Sequence, residues 1–145
     1  MIIRFVAVVS PHGKQRARTV RLSNGYTTSF TPKDTVRFEK AIAWACRNVY
    51  KGNGFAEHEP IKMTSWFYMP IPASLSEKKK AELNGEWHTK KPDCSNILKS
   101  VEDALNKIAY HDDGQICAGE YYKIYSDCPR VEVIIERLES RKGNK

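Results

Sequence analysis

Ser95–Ala109, with the sequence SNILKSVEDALNKIA, carries the most regular helical pattern in the chain. Its apolar residues recur with the period of a helix, at Ile97, Leu98, Val101, Ala104, Leu105 and Ile108. At about 100° per residue, the side chains of Asn96, Lys99 and Asp103 then point away from the apolar face. The sequence therefore predicts an amphipathic helix over 95–109 that packs on a core and presents a polar face.

Segments on both sides of this helix have the patterns of strands and of two further helices. The predicted strands are 2–9, 16–22, 26–30, 61–69, 115–125 and 131–138, with Asn24-Gly25 as the turn of a hairpin. The predicted helices begin at Thr31-Pro32, with Thr31 as the N-cap and an end before Gly52, and at Ser74, with an end at Leu83. We therefore expect an α+β fold with a mixed sheet of about five or six strands and helices packed against it.

Length and composition fit one domain that acts on an anionic partner. The chain has 145 residues, of which 41% are hydrophobic, so it is long enough to bury a core of its own. We expect a single domain over 1–139 and a flexible basic tail over 140–145. With 24 Lys and Arg against 17 Asp and Glu, the formal charge is +7, which favours nucleic acid as the partner.

Nothing in the sequence indicates a membrane segment, a signal peptide or a disulfide framework. No apolar run approaches the roughly 18 residues of a membrane span, and residues 2–9 fit a first strand better than a signal peptide. The four cysteines, Cys46, Cys94, Cys117 and Cys128, form no C-x-x-C pair, so free thiols are expected. These features predict a cytoplasmic protein without membrane contact.

Acidic residues flank both ends of the 95–109 helix. Asp93 precedes it, and Asp112 and Asp113 follow it, so a chain that folds back after Ala109 would bring them towards Lys99. Carboxylates with a nearby lysine suit Mg²⁺ and a phosphate group. An ordinary interpretation remains open: Asp93 as an N-cap, Lys99 and Asp103 as a surface pair, and Asp112-Asp113 as part of a turn.

Two motifs extend this acidic pattern into a family resemblance. The segment KPDCSNILKSVEDALN (91–106), followed by DDGQI (112–116), resembles the RusA family of Holliday junction resolvases. The upstream GKQRAR (13–18), the Asn-Gly hairpin and TPK (31–33) are also similar to that family, so the resemblance covers about 2–138. It implies a homodimeric, Mg²⁺-dependent endodeoxyribonuclease that cuts four-way DNA junctions in recombination and repair, from a family often encoded by prophages. Mn²⁺ is expected to substitute for Mg²⁺.

The resemblance also implies roles for individual residues. Asp93, Asp112 and Asp113 match acidic positions of the metal site, and we expect all three to be catalytic metal ligands. Lys99 matches the catalytic lysine, which would steady the scissile phosphate. Asp103 matches a further aspartate, which either joins the metal site or braces it. Phosphate contacts are expected from Lys14, Arg16, Arg18, Lys33, Lys90, Lys91 and Asn96.

Ser95 departs from the family pattern, which has a second aspartate at this position. The substitution removes a negative charge and a strong ligand, so metal binding should weaken unless Glu102, Asp103 or Ser95 itself completes the site. Three functions stay open: a working resolvase, a branched-DNA-binding module with a weak or inactive site, and a basic protein associated with RNA or the ribosome.

Overall fold

A computed structural model describes residues 1–142 of the chain. The strands are β1 (Ile2–Ala7), β2 (Arg18–Arg21), β3 (Thr27–Phe30), β4 (Ile61–Pro70), β5 (Ile116–Ser126) and β6 (Arg130–Arg137). The helices are α1 (Lys33–Val49), α2 (Glu77–Leu83) and α3 (Cys94–Leu105), and a 3₁₀ turn covers Asp113–Gln115. In the predicted tail, residues 140–142 are exposed, and 143–145 lie outside the described residues.

The main sheet has four strands in the order β1-β6-β4-β5. β6 pairs antiparallel with β1 and with β4, whereas β4 and β5 run parallel, so the predicted mixed sheet and α+β fold are confirmed. The prediction of one sheet of five or six strands is wrong, because β2 and β3 form a separate two-stranded sheet. All eight residues of β2 and β3 are exposed, so this hairpin has no buried apolar face that could join the core.

The core lies between one face of the main sheet and the helices α1 and α3. Alternate residues of β1 and β6 are buried, including Phe5 and Val133, and helix residues such as Phe38 and Val101 meet them in one cluster. β1 is thus buried on one face of the sheet. None of the helices in residues 1–142 is long and apolar enough to cross a membrane.

Several helix ends differ from the prediction, and α2 begins at Glu77 after the N-cap Ser76, and not at Ser74. α3 ends at Leu105, four residues before the predicted end, because Lys107 takes a left-handed conformation with φ of 68°. Ala109 remains fully buried in the turn that follows, so its apolar character does not require a helix. At α1, Pro32 occupies the N-cap position without a side-chain hydrogen bond, so Thr31 is not the cap.

Candidate active site

Lys99 contacts one carboxylate within α3 and one in the turn that follows the helix. Its Nζ lies 3.0 Å from Asp103 Oδ1, one helical turn later, and 3.6 Å from Asp113 Oδ2 in the 3₁₀ turn before β5. The hydrogen bond with Asp103, aided by the charge of Asp113, raises the pKa of Lys99. The chain thus folds back as expected and brings Asp113 to the polar face of α3.

A second lysine reaches the same face from the loop after β1. Lys14 Nζ lies 2.5 Å from Glu39 Oε1 on α1 and 3.2 Å from Asp103 Oδ2. The backbone N–H of Lys14 donates to the carbonyl of Asn96 at 3.0 Å, which fixes the loop against α3. Burial lowers the pKa of Lys14, but hydrogen bonds to Glu39 and Asp103 outweigh it, so the pKa is raised.

Gln115 holds the turn that carries Asp112 and Asp113. Its side-chain oxygen accepts hydrogen bonds from the backbone N–H groups of His111 and Asp112, at 2.8 and 3.1 Å. Its side-chain nitrogen donates to the carbonyls of Ala56 and Glu59, at 2.9 and 3.0 Å. This buried amide therefore fastens the acidic turn to the segment before β4 and fixes the position of Asp113.

Glu102 adds a further carboxylate beside this turn. Burial, followed by the negative charge of Asp113, raises the pKa of Glu102. Its backbone carbonyl accepts a 2.7 Å hydrogen bond from the buried Tyr110 hydroxyl, which connects α3 to the chain just before the acidic turn. Glu102, Asp103 and Asp113 therefore concentrate negative charge around the ammonium group of Lys99.

Asp93 and Ser95 lie at the opposite end of α3. Asp93 is the N-cap residue but makes no side-chain cap hydrogen bond, and its Oδ1 lies 3.0 Å from Lys91 Nζ. Ser95 is exposed, and the first turn of α3 contains no acidic residue. Lys123 on β5 holds the loop before α3, because its Nζ donates to the carbonyl of Lys90 and, at 2.7 Å, to the carbonyl of Pro92.

Asp112 points into its own turn. Its Oδ2 accepts a 2.9 Å hydrogen bond from the N–H of Gly114, and together with Gln115 it forms a capping box. Of the expected metal ligands, Asp113 is therefore the one in direct contact with Lys99, while Asp93 and Asp112 have other partners. Within residues 1–142, no three Asp, Glu, His or Cys side chains are grouped closely enough to surround a metal ion.

The expected DNA-contacting residues divide into two groups. Lys14, Lys91 and Asn96 line one cleft of about 440 Å³ beside Pro92. The other four are exposed and make no ion pair with a described carboxylate: Arg16, Arg18, Lys33 and Lys90. Glu39, the partner of Lys14, is the site residue that the sequence patterns missed, since no local motif marks it.

The donor chemistry of the site suits Mg²⁺. Carboxylate oxygens of Asp103 and Asp113 already approach one positive group, the Lys99 ammonium, and Glu102 lies in the same negative environment. Mg²⁺ commonly binds one or two carboxylates and completes its shell with water and substrate phosphate. A closed cage of protein ligands is therefore not required for this ion.

Comparison with known proteins identifies the family. The family model for the endodeoxyribonuclease RusA matches residues 9–136. Over 85 residues the chain is 40% identical to "Uncharacterized protein YqaN" of Bacillus subtilis (strain 168), across 56% of this chain and 60% of the relative. Over 85 residues it is 30% identical to "Crossover junction endodeoxyribonuclease rusA" of Lactococcus phage r1t, across 58% of this chain and 60% of the relative. Each match thus covers about three fifths of the curated relative, while the family model covers most of this chain: the protein belongs to the RusA family of endodeoxyribonucleases.

Proposed function

We propose that this protein is a Mg²⁺-dependent, structure-selective endodeoxyribonuclease that resolves Holliday junctions in the cytoplasm. The observation that carries the proposal is the contact of Lys99 with Asp103 and Asp113 in a basic chain of the RusA family. A lysine surrounded by carboxylates suits a reaction that gathers negative charge on a phosphate, because the lysine supplies a positive group and the carboxylates bind a divalent ion.

Each residue of the cluster has a distinct part in the proposed mechanism. Asp103 holds Lys99 through its 3.0 Å contact, so the ammonium can exchange its longer 3.6 Å contact with Asp113 for a phosphate oxygen. Asp113, with Asp93 and Asp112 as the further proposed ligands, would hold Mg²⁺, and Asp103 is an additional candidate. Bound Mg²⁺ would supply an activated water and neutralise charge on the phosphodiester.

DNA would be held mainly through its phosphates. Lys91 and Asn96 at their cleft, together with the exposed Arg16 and Arg18 next to and on the hairpin, would follow the backbone of a junction arm. Lys33 and Lys90 extend the same set of phosphate contacts. The chain carries a formal charge of +7, so binding should weaken steeply as salt is added.

A homodimer is part of the proposal. A four-way junction has approximate two-fold symmetry, so a two-fold dimer would present one active site to each of the two DNA strands that must be cut. Sedimentation or light scattering should then give twice the 16.6 kDa mass of the chain.

Junction cleavage tests the proposal directly. A labelled synthetic four-way junction should be cut into ligatable duplexes with Mg²⁺ or Mn²⁺, and the Asp113→Asn variant should bind the junction but leave it intact. The Asp34→Asn variant is a matched control, because that exposed carboxylate lies on α1 outside the cluster. Cleavage by Asp113→Asn at the wild-type rate would contradict the assignment.

The second candidate function is a branched-DNA-binding module that does not cut. It is favoured by Ser95, which leaves the first turn of α3 without a carboxylate. Replacing Ser95 with Asp should raise both Mg²⁺ affinity and cleavage rate if this position limits the site, whereas Ser95→Asn should not. An intact, retarded junction with the wild type and cleavage by Ser95→Asp would identify the chain as such a module. An unchanged rate would show that Ser95 does not weaken the site.

A further inference from the structure

A cleft of about 720 Å³ opens where α1 and α3 both end. Arg47, in the last turn of α1, and Lys51, just after that helix, lie on one side. Lys107, which follows α3, and His111 lie on the other side. The lining residues include no Asp or Glu, so the described walls of the cleft carry only positive formal charge.

The three cations of this cleft differ from the lysines of the candidate active site. Arg47, Lys51 and Lys107 are exposed, and none forms an ion pair with a carboxylate in residues 1–142. Lys99, by contrast, is already in contact with two carboxylates. The cleft can therefore accept an anion without first breaking an ion pair.

Helix dipoles explain only part of this arrangement. Cations near a helix C-terminus are stabilised by about 0.3–1 kcal/mol, which accounts for Arg47. Lys107, however, has a φ of 68°, a conformation that costs an L-residue about 1–2 kcal/mol and that glycine adopts freely. The backbone at Lys107 therefore suits glycine better than lysine.

The backbone around the cleft is fixed by hydrogen bonds across it. Phe55 N–H donates to the carbonyl of Ala109 at 2.9 Å, and Gly54 N–H donates to the Tyr50 hydroxyl at 3.0 Å. Gly54 has a φ of 80°, and a Cβ there would lie 2.4 Å from the Ala109 oxygen, so the two walls approach closely. Lys107 N–H donates to the carbonyl of Tyr110 at 2.8 Å, which secures the lysine turn. A preformed cleft loses less entropy when it binds a ligand.

The cleft adjoins the candidate active site. His111 and Lys107 also line a second cleft of about 390 Å³ that includes Asp112. His111 is two residues before Asp113, and two residues span at most about 7 Å. DNA rises about 3.4 Å per nucleotide along one strand, so the edge of the cleft at His111 lies within about two nucleotides of Asp113.

We propose that this cleft binds the phosphodiester backbone of the DNA strand next to the phosphate that is cut. Arg47, Lys51 and Lys107 are the phosphate-contacting groups, and the inference rests on the proposed function for the position of the cut. None of these three residues is among the DNA contacts expected from the sequence, which are Lys14, Arg16, Arg18, Lys33, Lys90, Lys91 and Asn96. The cleft would thus fix which phosphate reaches Lys99 and Asp113.

A paired substitution measures the contribution of the cleft. In Lys51→Gln/Lys107→Gly, glycine relieves the left-handed backbone while the charge is removed, so the midpoint of thermal unfolding should stay equal or rise. Affinity for a synthetic four-way junction should be measured in EDTA by fluorescence anisotropy across a salt series. Each lost phosphate contact should reduce the slope of log K against log salt by about 0.9, so the double variant should lose about 2.

The control removes the same charge elsewhere. Lys78 and Lys79 are exposed on α2, and Lys78→Gln/Lys79→Gln should change the slope much less than the cleft variant does. An unchanged slope in the cleft variant, or an equal loss in the control, would overturn the inference. If the double variant unfolds, Lys51→Gln alone should still lower the slope by about 1, and failure to do so is equally negative.

A parallel cleavage assay with Mg²⁺ separates this inference from the proposed function. If the cleft variant has a reduced slope and the wild type does not cleave the junction, the cleft binds DNA but the proposed nuclease function is rejected. If the wild type cleaves the junction and the slope of the cleft variant is unchanged, only DNA binding by the cleft is rejected. Absence of all DNA binding by the wild type rejects both.

Discussion

Gln115 is the residue on which the position of the acidic turn depends most. Its side-chain nitrogen faces the carbonyl oxygens of Ala56 and Glu59, so Gln115→Glu would place a carboxylate against two acceptors. We expect the substitution to lower the free energy of unfolding by about 1–3 kcal/mol and to reduce junction cleavage. Urea denaturation and the cleavage assay measure the two effects.

The other glutamine of the chain provides a matched control. Gln15 accepts a hydrogen bond from the Thr35 hydroxyl at 3.2 Å through its side-chain oxygen, a role that a carboxylate retains. Gln15→Glu should therefore stay within about 0.5 kcal/mol of the wild type. An equal loss of stability in both variants would show that Gln115 has no special anchoring role.

Individual site residues differ in how far the sequence could predict them. The contact of Lys99 with Asp103 follows from helical spacing, and Asp113 was expected nearby because the chain turns back after α3. Glu39 could not be predicted, because it reaches Lys14 only through the packing of α1 beside α3. Periodicity describes one element, whereas this ion pair depends on how distant elements meet.

Among the short elements, the 3₁₀ turn at Asp113–Gln115 permits a test of Asp112. Asparagine caps a helix about as well as aspartate does, whereas alanine at a cap position costs about 0.5–2 kcal/mol. We expect Asp112→Ala to lose both stability and cleavage, and Asp112→Asn to keep stability but lose cleavage, as a proposed metal ligand requires. Thermal unfolding and junction cleavage together measure this. If Asp112→Asn cleaves the junction at the wild-type rate, Asp112 acts only as a cap and not as a metal ligand.

The segment before α3 covers part of the edge of β5 and contains a pH-sensitive group. Gly85 and His88 donate backbone hydrogen bonds to β5 at 2.9 and 3.0 Å, and the His88 ring packs 4.6 Å from that of Tyr125. Burial, followed by the positive charge of Lys123, lowers the pKa of His88. The folded protein therefore binds this proton less readily than the unfolded chain does.

Stability should consequently fall as the pH drops below the unfolded histidine value of about 6.5, until the lowered folded pKa is reached. His88→Gln should lose less stability than the wild type across this window, whereas the exposed His58→Gln control should follow the wild type. Urea denaturation between pH 8 and pH 5 provides the measurement. Parallel curves for the wild type and His88→Gln would contradict the expected role of His88.

The end of α3 shows why element boundaries were harder to predict than the elements. The apolar period continues to Ile108, yet the helix ends at Leu105. Ala109 and Tyr110 are still buried, because the turn at Lys107 returns them to the core. An apolar residue therefore indicates burial whether it lies in a helix or in a turn. The apolar period alone does not determine where the helix ends.

At the scale of the molecule, the sequence predicted the class of fold but not how its strands are divided. Alternating segments identify strands, and residues 1–142 contain six. Which strands share a sheet depends on which of them bury a face, and β2 and β3 bury none. α1 and α3 cover one face of the main sheet and leave β2 and β3 as a separate hairpin.

The proposed two-fold dimer leads to a prediction that only a dimer of two different subunits can test. If each subunit of a dimer cuts one DNA strand, a mixed dimer of one wild-type and one Asp113→Asn subunit has one working site. Such dimers, isolated through two different affinity tags, should nick the junction in one strand and yield no resolved duplexes. Wild-type dimers should resolve the junction, and Asp113→Asn dimers should only bind it. Full resolution by the mixed dimer would mean that one site cuts both strands, and the symmetric arrangement would then be wrong.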